Sequence, residues 1–149
     1  MTANTFRDAA IMLAAGMGIP VLAALNAQLG RAIASPAAAA TVLFLIALIA
    51  AALAMLATTG AAPLQLVQAQ PKHLLLGGVL VCFYVLSITF IAPRFGLGNA
   101  IFCVLVGQLV SAAVIDQFGL AGAIVKPVSL WRASGIGLMA LGAMLAVQR

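Results

Sequence analysis

The chain has 149 residues, of which 66% are hydrophobic and only 6% are charged. So few charges cannot clothe a water-soluble domain, and the composition defines a membrane protein read as a single transmembrane domain over 1–149. The net charge of +5 does not point to nucleic acid, because the seven Lys and Arg residues are scattered singly with few aromatics among them. They read as anchors at the headgroups of the lipid bilayer, which is the first predicted partner.

A hydrocarbon core of about 30 Å needs roughly 20 apolar residues at about 1.5 Å per residue. Five runs of that kind predict an all-α membrane protein with helices over 8–29, 36–59, 73–91, 98–118 and 129–147. Arg7 before an apolar run, with Leu25-Asn26-Ala27 further on, has the look of a signal peptide. The run from Ala9 to Leu29 is long enough to span, so it is read as a retained first helix.

The first helix carries Gly16, Gly18 and Pro20 near its middle. Proline lacks an N–H, so the carbonyl of Gly16 loses its helical partner and a kink is expected there. Two readings stand for this stretch. One is a hinge with a solvated cavity wall, and the other is close helix packing through the glycines. Asp8 and Asn26 are eighteen positions apart, about five turns, so they share a face that is expected to point into the bundle.

Ser35 and Pro36 read as the N-cap and first residue of the second helix, which is nearly all Ala and Leu and is given a structural role. The stretch 60–72 has Pro near both ends and Leu64, Leu66 and Val67 between glutamines. It is read as a short interfacial helix or a simple loop. The third helix, closed by Pro93-Arg94, places Tyr84 near the middle of its span, where a hydroxyl needs a partner. That partner is a substrate or another helix.

The fourth helix carries Gln108 near mid-depth, with Ser111 one turn on and Asp116 about two turns on. Asp116 is one of only two acidic residues in the chain. Arg132 opens the fifth helix on the same side of the membrane, so Asp116 and Arg132 are read either as an ion pair that staples two helices or as a proton or substrate site. Gln108 bonds either another helix or an uncharged polar ligand. With Asn26, Tyr84, Ser111 and the freed Gly16 carbonyl it is expected to suit a small polar or zwitterionic organic solute. In the fifth helix, Ala133, Gly137, Gly142 and Ala146 give small residues four apart, which serve a dimer face or packing within the chain. Trp131, Lys72, His73 and Lys126 read as headgroup anchors.

Cys82 and Cys103 lie within apolar runs, and no CxxC, HExxH or Cys/His cluster occurs. No metal, disulfide framework or cofactor is predicted. No nucleophile–base pair, paired carboxylates or phosphate loop is present, so catalysis is not expected. Five spans leave Arg7, Lys72, Lys126 and Arg132 on one side and Arg31, Arg94 and Arg149 on the other. That balance permits insertion in both orientations and hence an antiparallel homodimer.

The runs 107–120 and 129–147 resemble the bacterial YdcZ-type family of the drug/metabolite transporter superfamily. The resemblance is carried by Gly107-Gln108-Leu109 followed by Ile115-Asp116-Gln117-Phe118-Gly119-Leu120. It extends to Asn26-Ala27-Gln28-Leu29-Gly30, Leu76-Gly77-Gly78 and Pro93-Arg94-Phe95-Gly96. It implies a multi-pass protein of the bacterial inner membrane, five helices forming one half of an inverted-repeat fold, and a dimer equivalent to a ten-helix transporter. The small multidrug transporters of that superfamily use a glutamate in the middle of helix one, and this chain has none there. The leading expectation is a secondary transporter of a small organic solute, acting as an antiparallel dimer by alternating access. The alternatives are a non-transporting subunit or partner half of a heteromeric transporter, and a translocase for lipid or lipid-linked solutes.

Overall fold

The computed structural model describes residues 3–147, with side chains from Thr5 onward. The expected helix end at Gln148-Arg149, and the charge of Arg149, lie outside the described residues. The described residues hold five α-helices: α1 (Ala3–Ala32), α2 (Pro36–Thr58), α3 (Leu76–Phe95), α4 (Leu97–Phe118) and α5 (Leu130–Ala146). No strand occurs among the described residues. The first four helices, with Lys72–Leu75 counted into the third span, are long and apolar enough to cross a membrane. The fifth is apolar but has 17 residues, about 25 Å of helix.

The chain divides into two compact units, Met1–Pro93 and Arg94–Arg149. In the first, α1 and α2 form a hairpin turned through Ile33–Ser35. The Ser35 hydroxyl accepts from the N–H of Ala38 at 3.2 Å, and Pro36 opens α2, as its position before the alanine run implies. The core of this unit lies at one end. It joins Ala23, Asn26, Ala27 and Gly30 of α1, Ala39 and Ala40 of α2, and Val85, Ile88, Thr89 and Ala92 of α3. Nearly every member is small, so the helices meet almost backbone to backbone. A Cβ on Gly30 would stand 3.2 Å from the Cα of Pro36 and 3.4 Å from Cγ2 of Thr89. Van der Waals contact of this kind is what holds helices together where lipid removes the hydrophobic drive.

Two local expectations need correction. Asp8 does not share the buried surroundings of Asn26, because its side chain is 66% exposed and its neighbour Arg7 lies 3.4 Å away. The cause is that every residue from Thr5 to Gly18 is exposed, so nothing packs on the first half of α1. The third helix does not stop at Pro93 but runs to Phe95 with the proline inside it. The N–H missing at Pro93 would have bonded the Thr89 carbonyl, so the helix gives up that one bond and continues for two more residues. The stretch after α2 is short helix rather than plain loop. It forms two 3-10 helices, Ala62–Ala69 and Lys72–Leu75, with all residues exposed. Pro20, in turn, sits within one continuous α1.

In the second unit α4 packs on α5. Gly119 ends α4 in the left-handed conformation at φ 60°, which glycine adopts without penalty. A Cβ there would stand 2.7 Å from Cγ2 of Val125. Ser129 caps α5, accepting from the N–H of Arg132 at 3.2 Å.

Candidate functional site: polar groups inside the membrane spans

Within the first unit the polar centre is a short chain of hydrogen bonds. Asn26 donates through Nδ2 to Oγ1 of Thr89 at 2.6 Å, and the Thr89 hydroxyl donates to the carbonyl of Val85 at 2.7 Å. Asn26 is 4% exposed and Thr89 only 1%. The amide expected on the solute pathway therefore ties α1 to α3. Thr89 in this role was not apparent from sequence, since the two residues are 63 positions apart. The one available signal was that both are polar residues in apolar helices. Beside this contact, Leu22, Leu25, Asn26 and Leu29 face Val42, Leu43 and Ile46 across an apolar groove of about 220 Å³.

Tyr84 lies near the middle of α3. Its hydroxyl is buried, and no hydrogen-bond partner for it exists among the described residues. The helix partner that one reading assigned to it is thus not present within the described chain. On α1, Gly16 and Gly18 have open space where a Cβ would stand.

In the second unit the two rare charges meet. Nη2 of Arg132 donates to Oδ2 of Asp116 at 2.7 Å, and the two side chains are 35% and 29% exposed. The same turn is tied twice more. The N–H of Lys126 donates to the Asp116 carbonyl at 2.8 Å, and the N–H of Val128 donates to Oε1 of Gln117 at 2.6 Å. Gln117 in this role was not apparent from sequence. Asp116 is thus embedded in the turn that carries α4 into α5, at the end of a span.

Gln108 has different surroundings. It lies at the middle of the 22-residue α4 and is exposed, as is Ser111. Neither side chain has a hydrogen-bond partner among the described residues. The face of α4 turned to α5 carries Phe102, Val106 and Leu109, which line a groove of about 200 Å³ with Met139, Gly142 and Ala143. Gln108 lies roughly 160° around the helix from Val106 and about 60° from Leu105, which lines the same groove, so it sits beside the α5-facing stripe rather than on it.

The small residues of α5 do not form one face. Gly142 is five positions from Gly137, which turns it about 140° around the helix. Ala133 with Gly137 and Gly142 with Ala146 therefore flank α5 on two sides, and all four are exposed. No heavy atom lies within 4 Å of a Cβ placed on Gly137 or Gly142.

The charges follow a simple rule. Arg7, Asp8, Arg31, Lys72, Arg94, Asp116, Lys126 and Arg132 all sit near the ends of the spans or between them. The middles of the spans hold only neutral polar groups. Among the described residues no three His, Cys, Asp or Glu side chains come together. Cys82 and Cys103 are free thiols.

Four membrane-length helices, a shorter fifth, and neutral polar groups within the spans are the features of a multi-pass membrane protein. Residues 9–145 match the family described as "Putative inner membrane exporter, YdcZ", and the chain belongs to that family. It is accordingly a multi-pass protein of the inner membrane in a family of transporters. Comparison with curated proteins and with solved structures found no match.

Proposed function

We propose that the chain is a secondary transporter that moves a small, neutral or zwitterionic organic solute by alternating access, working as an antiparallel dimer. The observation that carries this reading is Gln108. Its amide stands exposed at the middle of α4 without a partner among the described residues. Hydrocarbon cannot satisfy an amide, and leaving one bare in lipid costs on the order of several kcal/mol. Protein or a polar solute must therefore meet it in the working state. Gln108 and Ser111 are assigned as the solute contacts on α4, and the Tyr84 hydroxyl as a separate polar contact on α3.

The neutral character of the mid-span polar groups among the described residues supports this solute class. A cation would need a carboxylate at mid-depth, whereas Asp116 lies near the end of α4 and is bonded to Arg132 at 2.7 Å. The near-balance of Lys and Arg between the two sides supports insertion in both orientations. Two oppositely inserted copies would supply the inverted halves from which many transporters are built.

Reporter domains fused to the C-terminus of the otherwise unaltered chain test the assembly. One reporter is active only in the cytoplasm and the other only outside it. Both are expected to be active in comparable amounts. A single orientation for all molecules would rule out the antiparallel homodimer.

A further inference from the structure

Gln108 occupies a special place in any antiparallel dimer of this chain. A two-fold axis that inverts the second copy lies in the membrane plane at mid-depth. A residue near the end of a span is carried to the opposite membrane face by that axis. A residue at mid-depth is carried back to its own depth, so it alone can meet its copy. Gln108 is at the middle of α4, exposed, and outside the lining of the groove that faces α5. Its side chain is self-complementary, because a carboxamide holds both donors and acceptors and two of them close a pair of reciprocal hydrogen bonds. Gly107 beside it has open space where a Cβ would stand, which lets another helix approach closely.

We propose that the α4 helices of two oppositely inserted copies cross at Gln108, so that the two Gln108 amides pair with each other on the dimer axis. This rests on the antiparallel reading above and adds to it the residue at the centre. The occupant of this face is a second copy of the chain, chosen because the amide complements itself and lies at the one depth where symmetry allows that. The partner copy completes the polar site. When the pair opens, it presents two sets of donors and acceptors to a solute at mid-depth.

The geometry fixes a register. Ile101 and Ile115 lie seven positions either side of Gln108, two turns along one stripe of α4, and roughly 10 Å from mid-depth. Ile101 is half-buried and Ile115 exposed. In the proposed crossing, Ile101 of one copy approaches Ile115 of the other, and neither approaches itself.

Disulfide trapping in native membranes tests this, starting from the full chain with Cys82→Ser and Cys103→Ser. Each cysteine variant is first shown to elute as a folded, monodisperse species. Gln108→Cys is expected to form a covalent homodimer on mild oxidation. Ile101→Cys and Ile115→Cys are expected to remain monomeric when expressed alone and to cross-link to each other when co-expressed. Self-cross-linking at all three positions would mean a parallel pair, which overturns both this inference and the antiparallel reading. No cross-link at Gln108→Cys, in a protein that still inserts both ways and still dimerises, would overturn this inference alone.

Discussion

Asn26 on α1 and Gln108 on α4 each carry a neutral amide within a membrane-length helix, but their surroundings differ. Asn26 is 4% exposed and donates to Thr89 at 2.6 Å, in a core where small residues bring α1, α2 and α3 together. Gln108 is exposed, with no partner among the described residues. The first amide has a partner in its own chain and contributes to the fold. The second is left for something outside that chain. A polar residue in a span is thus not functional merely by being there, and what separates the two cases is whether the fold already gives it a hydrogen-bond partner.

The same contrast orders the expected effects of substitution. Packing at the Asn26 end should be the most sensitive. Gly30→Leu would force a side chain into space where even a Cβ lies 3.2 Å from Pro36 and 3.4 Å from Thr89. Overpacking of this kind costs about 1–3 kcal/mol or more, so thermal unfolding should show a large loss of folded protein. If Gly30→Leu melts like the parent, the tight end is not what holds the first unit together.

Next comes the turn after α4. Gly119→Ala places a Cβ in a left-handed residue, costing roughly 1–2 kcal/mol before the 2.7 Å approach to Val125 is counted. Unfolding should shift downward by several degrees. An unchanged midpoint would mean that the turn relaxes freely.

The ion pair should matter less. Asp116 and Arg132 are about a third exposed, so solvent screens them, and each of Asp116→Asn and Arg132→Gln should cost about 1 kcal/mol. The double variant should cost little more than either single one, because the two residues act through one contact. Additive losses would show that they serve separate purposes. Normal folding of Asp116→Asn with loss of pH-dependent transport would make the carboxylate a working group rather than a staple.

Much of the architecture was legible because lipid imposes it. Apolar runs bounded by charge and proline located all five helices, and Ser35-Pro36 marked the start of α2. The nearness of Asp116 to Arg132 was legible because carboxylates are scarce and the connection is short. The pairing of Asn26 with Thr89 was not, since it depends on how α1 and α3 pack rather than on either helix alone. The run of α3 through Pro93 was hidden because a proline removes one helical bond and so commonly ends a helix, whereas here the helix continues two residues past it. The split of the α5 small residues onto two sides needed only the helical period, which the five-residue step from Gly137 to Gly142 breaks.

The most direct test of the account compares Asn26→Leu with Gln108→Leu by thermal unfolding over a range of protein-to-detergent ratios. Association stabilises in a concentration-dependent way, whereas a contact within one chain does not. Asn26→Leu should lower the midpoint by about 2–4 °C at every ratio, the effect of losing about 1 kcal/mol in a chain of this length, and should keep the parent's dependence on dilution. Gln108→Leu should match the dilute parent at all ratios and lose that dependence. A Gln108→Leu protein that keeps the parent's full dilution response, or that melts early at every ratio as Asn26→Leu does, would contradict the assignment of Gln108 to a contact beyond its own chain.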